Sequence, residues 1–421
     1  MKILYVVHGL PPKELAGTEI VVQELSQSIS RLRDWKFSRK HQVFIFYRNI
    51  TDKDPYKAIT RKEGNVRLIS INTPWDHFRD FEKEYQNHTV DEIFESYLWK
   101  IKPDIVHVHH LIGLSSDIIQ IVKDNDVPLI MTVHDFWYLC RRGQLITPDL
   151  HRCETIDFKE CERCFIKHEE PEKLKKVSKR WSHMMNLLNQ ADLLISPSRF
   201  LRKVYIRNGI SPERIIYSDN GINKKPFRFL KKNRSRKTRF GFLGTFIETK
   251  GVEILIDAFK RLGDPKTQLD LYGFFPPTAQ DYKKKIIEKI RDQKNITFHG
   301  KYHPRDIAKI LSNIDCLVVP SLWYENSPLT IHESYLAKTP VIASDLGGMS
   351  EYVKDKKTGF LFKPGDEEDL AKKMDGFIRN KDKIRFDFNT IKIKSIQEDA
   401  KELIRIYTRF NNLKKDEKDI F

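Results

Sequence analysis

What most limits this chain is a rhythm: short, wholly apolar segments recur between stretches of helical periodicity, and the rhythm runs through two complete series. The first series places strands at 3–7, 43–47, 66–70, 105–108, 129–133 and 193–196. A strand that is apolar throughout, instead of alternating, must be covered on both faces, as in parallel sheets flanked by helices. A second series starts afresh at 239–243 and continues at 269–272, 296–299, 316–319, 341–344 and 360–362. The expected fold is α/β, with two Rossmann-like domains. A chain of 421 residues is long enough for both, at about 100–200 residues per domain. The expected division is 1–203 and 204–392, with a polar, basic stretch at 223–237 between the two strand series. Residues 393–421 are expected to include a helix that crosses back to the N-terminal domain.

Seventy-five Lys and Arg against 58 Asp and Glu give a formal charge of +17, which implies attraction to nucleic acid, anionic lipid or a phosphorylated substrate. Basic residues gather at Lys173, Lys175, Lys176, Lys179 and Arg180, and again between Lys224 and Arg239. The first group opens a helix that continues through Trp181, Met184, Met185, Leu187 and Leu188. That pattern fits an anionic membrane surface or a solvated face over a core. No segment approaches the roughly 20 apolar residues that span a bilayer. The opening run 3–7 stops at His8 and Gly9, short of a signal-peptide core. Five cysteines, an odd number, suit a reducing compartment. The expectation is a cytoplasmic chain whose membrane contact, if it has one, is peripheral at the inner face.

Open α/β sheets bind ligands beyond the carboxyl ends of their strands, so the loops after strands carry the chemistry. Gly17 and Thr18 begin a helix after the first strand, where free amides favour phosphate. His134 follows the 129–133 strand, with a ring that can bond a hydroxyl or serve as a satisfied structural group. Gly244 to Gly251 lead from strand to helix and place Lys250 beside a potential diphosphate; the G-x4-G-K-[ST] spacing of a Walker loop is missing. The richest loop runs from Pro320 to Glu333. Ser327 as N-cap and Pro328 at the first helical position would start a helix about two turns before Glu333, and Glu325 precedes it. Gly347 and Gly348 mark one more strand-to-helix junction.

Taken together, these residues resemble the family 4 retaining glycosyltransferases, the group 1 glycosyltransferases of GT-B fold. The likeness rests on Glu325 and Glu333 as an E-x7-E pair after Pro320-Ser321, and on Gly17, His134-Asp135, Ser196-Pro197-Ser198, Asn220-Gly221, Lys250-Gly251, the Pro340 to Glu351 segment and Thr358-Gly359. The resemblance implies two sheets facing a central cleft, an acceptor-binding N-terminal domain and a C-terminal domain that binds a nucleotide-diphosphate sugar, UDP- or GDP-linked. It implies hexosyl transfer with retention to a glycan or lipid-linked glycan, as in polysaccharide biosynthesis. Catalytic roles fall to Glu325, His134 and Lys250. Donor binding falls to Glu333, Lys250, Thr245, Asn326, Ser327, Leu329, Thr330 and Gly17. Thr245 stands where the family often has arginine, and Asn326-Ser327-Pro328 replaces the usual glycine and aromatic residues. Catalysis in this scheme requires no metal or other cofactor. A nucleotide-sugar epimerase or phosphorylase of similar build is the alternative within enzymes. A basic nucleic-acid-binding protein is the remote one, disfavoured because the lysines are not interleaved with stacking aromatics.

Cys140, Cys153, Cys161 and Cys164 crowd into one loop, while Cys316 sits in a strand. Four thiolates suit tetrahedral zinc, and four independent reduced thiols suit the same pattern.

Overall fold

The computed structural model describes residues 1–33, 40–78, 80–165 and 173–418. It divides into two compact units: Met1–Thr147 with Cys153–Gly221 and Lys394–Phe421, and Pro148–Arg152 with Ile222–Ile393.

The strands of the first unit are β1 (Lys2–Val7), β2 (Gln42–Ile50), β3 (Ala58–Glu63), β4 (Val66–Thr73), β5 (Ile105–Val108), β6 (Leu129–Thr132), β7 (Leu193–Ser196) and β8 (Ile215–Tyr217). They form one sheet in the order β3-β4-β2-β1-β5-β6-β7-β8. Every pairing is parallel except β3 with β4. The apolar rhythm passed over two of these strands, for different reasons. The edge strand β3 reads AITRKE and is largely exposed, so it offers no apolar run. β8 is only three residues long. Because β8 pairs with β7, residues 204–221 belong to the first unit, and the boundary falls after Gly221 instead of after 203.

β1 is central, and its Ile3, Tyr5 and Val7 pack with Val22, Leu25 and Ile29 of the helix Gly17–Arg31. Ile396, Ala400, Leu403 and Tyr407 of the last helix, Ile396–Lys418, join the same cluster. That packing accounts for the polar His107 in fully buried β5. Its Nδ1 meets the Tyr407 hydroxyl at 2.5 Å and its Nε2 meets Thr132 Oγ1 at 2.8 Å, while Tyr407 also meets the Tyr5 hydroxyl at 3.0 Å. A buried polar group is tolerated only when bonded in this way.

The second unit contains β9 (Thr238–Thr245), β10 (Thr267–Phe274), β11 (Ile296–Gly300), β12 (Cys316–Val319), β13 (Val341–Ser344) and β14 (Gly359–Phe362). Their order is β11-β10-β9-β12-β13-β14, all parallel. Alternate residues feed two separate cores. Phe240, Phe242, Cys316, Val318 and Ile342 pack on one face with Val252, Leu255, Ile256 and Phe259 of the helix Val252–Leu262. Leu243, Leu317, Val319, Val341 and Ala343 pack on the other with Ile331 and Tyr335 of the helix Leu329–Leu336. Each large apolar side chain buried this way contributes about 1.5–3 kcal/mol.

The basic helix Lys173–Leu188 buries Met184, Met185, Leu187 and Leu188 in the first unit, together with Arg180. Most of its apolar side is therefore already used, and a surface contact would rest on its lysines and the exposed Leu174. None of the described helices is long and apolar enough to cross a membrane.

Candidate functional site

In both units the strand order reverses beside the first strand. β1 lies between β2 and β5, and β9 lies between β10 and β12. The loops leaving β1 and β5, and those leaving β9 and β12, therefore diverge and open a crevice at the carboxyl edge of each sheet. The polar residues of both units collect there.

In the second unit, the loop after β9 ends in a short 3-10 turn, Glu248–Lys250, and the loop after β12 carries Ser321 to Pro328. The two are bonded backbone to backbone, Leu322 N–H donating to Thr249 O at 2.8 Å. Gly251, with φ +66°, makes the approach possible, since a Cβ there would lie 2.0 Å from Pro320 O. The loop after β13 closes in similarly: Gly348 N–H donates to Glu325 O at 2.6 Å, and a Cβ on Gly348 would stand 1.8 Å from Asn326 O. The three loops thus fix Glu325, which is only 7% exposed. One of its oxygens, Oε1, accepts from Lys250 Nζ at 2.5 Å, Ser321 Oγ at 2.7 Å and Trp323 Nε1 at 2.9 Å. Lys250 also lies 5.2 Å from the centre of the Trp323 ring. A buried carboxylate keeps its charge only with such partners, and the lysine beside it is a fixed cation for an anionic ligand.

The helix after this loop begins at Leu329. Pro328 is its N-cap and makes no side-chain cap bond, so Ser327 is not the N-cap that the sequence suggested. The chain holds Pro328 at ψ 108°, which is extended, and delays the first turn by one residue. The amides at Leu329 and Thr330 consequently open an eight-residue helix without a side-chain cap, an arrangement favourable to anions. Glu333 is the fifth residue of this helix, closer to its start than two turns. Burial alone raises its carboxyl from 4.5 to about 8, and its charge acts on Tyr302. Thr245 ends β9, and Asn326 is buried in the β12 loop. Lys250, Thr245, Glu325, Asn326, Ser327, Leu329, Thr330 and Glu333 thus all belong to the β9 and β12 loops and the helix that follows, with Lys250 and Glu325 in direct contact.

The first unit holds Gly17 and His134, among residues the sequence reading passed over. Gly17 opens the helix Gly17–Arg31, with Ala16 as an N-cap that makes no side-chain bond. His8, just beyond β1, pairs through Nε2 with Glu19 Oε1 at 2.7 Å. Desolvation opposes the Glu19 charge, but His8 outweighs it and brings the carboxyl down to about 2. Arg48 joins Glu14 Oε1 at 3.1 Å and donates to Ile112 O at 2.7 Å. Beyond β5, His109 Nδ1 meets His134 Nε2 at 2.9 Å, and His110 Nε2 meets Asp135 Oδ2 at 3.2 Å. Burial lowers His134 to about 3 and His109 well below the ordinary value, so both rings are neutral near pH 7. Among the described residues, His8 Nδ1, Glu19 Oε2 and His109 Nε2 are buried without a hydrogen-bond partner. The His107-Val108-His109-His110 run at the end of a predicted strand was the signal available for this cluster.

His8, Glu14 and Glu19 bring three ligand atoms within 4.8 Å of one another. The Arg48 guanidinium already occupies Glu14 and repels a cation.

Two α/β units, each with a polar crevice at its topological switch point and one with a cation, an uncapped helix start and a buried carboxyl, suit phosphorylated, hydroxyl-rich ligands. Comparison with known proteins narrows this. Residues 15–225, just over half of the chain, match the Glycosyltransferase Family 4 model, and residues 223–394 match Glycosyl transferases group 1. The chain belongs to this glycosyltransferase family. It is 26% identical over 197 residues to an uncharacterized 41.2 kDa protein in the cps region of Klebsiella pneumoniae, a match covering 45% of this chain and 52% of that one. It is 22% identical over 390 residues to an uncharacterized glycosyltransferase of Methanocaldococcus jannaschii, covering 88% and 87%. Among solved structures, Anabaena HepE in complex with UDP and glucose superposes with TM-score 0.65 at 17% identity, covering 96% of this chain and 99% of that one. The fold is GT-B.

Proposed function

We propose that this protein transfers a hexosyl group from a nucleoside-diphosphate sugar to a glycan or lipid-linked glycan acceptor, with retention of anomeric configuration. The observation that carries the reading is the Lys250–Glu325 pair, held by three loops at the switch point of the second unit beside the uncapped start of the Leu329 helix. In this reading Lys250 and the amides of Leu329 and Thr330 hold the diphosphate. Thr245, Asn326 and Ser327 line the donor pocket. Glu333 takes the ribose hydroxyls, and Glu325 faces the transferred sugar.

The chemistry follows from charge. As the glycosidic C–O bond breaks, negative charge grows on the diphosphate and positive charge on the sugar ring. Lysine and helix amides stabilise the former, and losing one such contact costs on the order of 3 kcal/mol in the barrier. The acceptor hydroxyl attacks from the face the diphosphate leaves, giving up its proton to a departing phosphate oxygen. His134, neutral near pH 7, offers a hydrogen bond to the sugar without competing for that proton. The unpartnered His8, Glu19 and His109 atoms support acceptor hydroxyls in the first unit. The HepE complex with UDP and glucose supports a UDP-sugar donor, with GDP-sugars the next choice. A lipid-linked acceptor would bring the protein to the inner membrane face through its exposed lysines.

A thermal-shift panel of UDP, GDP, ADP, TDP and CMP on the wild type and Glu333→Ala tests this. Binding at 100 times Kd stabilises by about 2.7 kcal/mol. One diphosphate is expected to raise Tm, and the variant to lose the shift. No response to any diphosphate, or an equal response in the variant, refutes the assignment of the site. Product anomers read by NMR test retention, and donor turnover without acceptor to a second nucleotide sugar would favour an epimerase.

A further inference from the structure

The loop between β6 and the Lys173–Leu188 helix is long, and its described residues form only the helix Phe158–Cys161 and the 3-10 turn Glu162–Cys164. Connections of this length are usually functional or held by something other than their own core. This one contains four half-buried free cysteines, at 140, 153, 161 and 164. The loop brings them into one neighbourhood, in which Cys140 acts on Cys153, Cys161 and Cys164, and Cys164 acts on Cys153 and Cys161. Cys140 N–H donates to Phe136 O at 2.7 Å, and Cys153 N–H donates to Leu145 O at 2.9 Å. Cys161 and Cys164 share the short helical segment. We propose that Cys140, Cys153, Cys161 and Cys164 bind a structural zinc ion as four thiolates, stapling this loop against the first unit.

Two further features fit a site of that charge. Four thiolates around Zn²⁺ carry a net charge of −2, and arginines surround the thiols. Arg180 is 4% exposed, and its Nη2 donates to Trp137 O at 2.7 Å. It lies over the rings of Tyr85 and Trp137, and among the described residues no carboxylate is at ion-pair distance from it. Cys140 and Glu84 are the acidic groups that act on it most strongly. Arg141, Arg142 and Arg163 act on Cys164. Beside a neutral thiol a buried guanidinium gains nothing from Cys140; beside a metal-bound thiolate it is matched.

Thiolates gathered in one half-buried loop repel one another. A divalent ion reverses that repulsion and displaces the thiol protons. No three of the four thiols lie within 4.8 Å of one another, so a bound ion would have to draw them closer. The same loop carries Gly143, whose oxygen accepts from Phe136 N–H at 3.2 Å, one residue after Asp135. The staple therefore bears on the His134-Asp135 junction.

The test uses the full chain purified from zinc-supplemented culture without chelator. Elemental analysis should find about one zinc per chain, retained in Cys316→Ala and lost in the Cys161→Ser, Cys164→Ser double variant. Because that variant could unfold, native wild-type protein is also alkylated before and after a strong chelator, and modified peptides are identified by mass spectrometry. Cysteines 140, 153, 161 and 164 should be protected together and become reactive together. Zinc well below one per chain with four freely alkylated thiols overturns the proposal. So does zinc retained by the double variant, or iron with acid-labile sulfide in place of zinc.

Discussion

Glu333 offers the sharpest test, because its free energy depends on pH in a way a structural glutamate's would not. In the free protein burial holds its carboxyl near about 8, up from 4.5. A carboxylate that accepts ribose hydroxyls is favoured in its ionised form, so ligand binding should lower that pKa and release a proton. At pH 7 a group of pKa about 8 is roughly one-eleventh ionised, and at pH 9 roughly ten-elevenths. If the bound pKa falls below 7, affinity for the selected nucleoside diphosphate should rise about tenfold across that range, about 1.4 kcal/mol. Isothermal titration in two buffers of different ionisation enthalpy should count close to one proton released per ligand at pH 7. Glu333→Gln should bind more weakly at pH 9 and lose the slope. The stability of the unliganded protein should change with pH in the opposite direction. Its folded-state pKa lies above the unfolded value, so the protonated form stabilises the fold below about 4.5, and that contribution is lost as pH rises through about 8. The loss is at most about 1.4 kcal/mol per pH unit, and it should be absent in Glu333→Gln. An affinity that stays flat from pH 7 to 9, with no proton released, would refute the reasoning.

Three other expectations are independent of this one. Lys250→Ala removes the cation from a carboxylate that is 7% exposed; denaturation should show a loss of about 2 kcal/mol, less than the about 3–5 of a fully buried pair. Donor-diphosphate affinity should fall in the same variant, and unchanged binding would remove Lys250 from the site. Gly348→Ala must displace the Asn326 carbonyl, so ligand-induced stabilisation should drop at least about tenfold in Kd terms while the far-ultraviolet dichroism stays native; normal binding would show that the loop yields. Tyr407→Phe leaves His107 Nδ1 and the Tyr5 hydroxyl each one partner short in the dry interior, which should cost about 1–3 kcal/mol in urea denaturation at unchanged m. A neutral result would mean the hydroxyl bonds carry no net stability.

The strand rhythm made the two α/β folds legible, because parallel strands buried on both faces must be apolar throughout and their spacing leaves room only for helices. The loops after those strands, with Lys250, Glu325 and Glu333, were legible for the same reason: topology fixes where strands end. Other features could not be read from local pattern. β8 is too short and β3 too polar to signal a strand, so the boundary at Gly221 emerged only from pairing. The roles of Arg180, His107 and Tyr407 depend on residues as far as 402 positions away in sequence. So do their charges, since the same side chain is solvated or desolvated according to what packs over it. Residue type and spacing determined which groups were available for the chemistry. Burial and long-range contact decided which of them are charged, and that depends on the dielectric environment that only the folded chain creates.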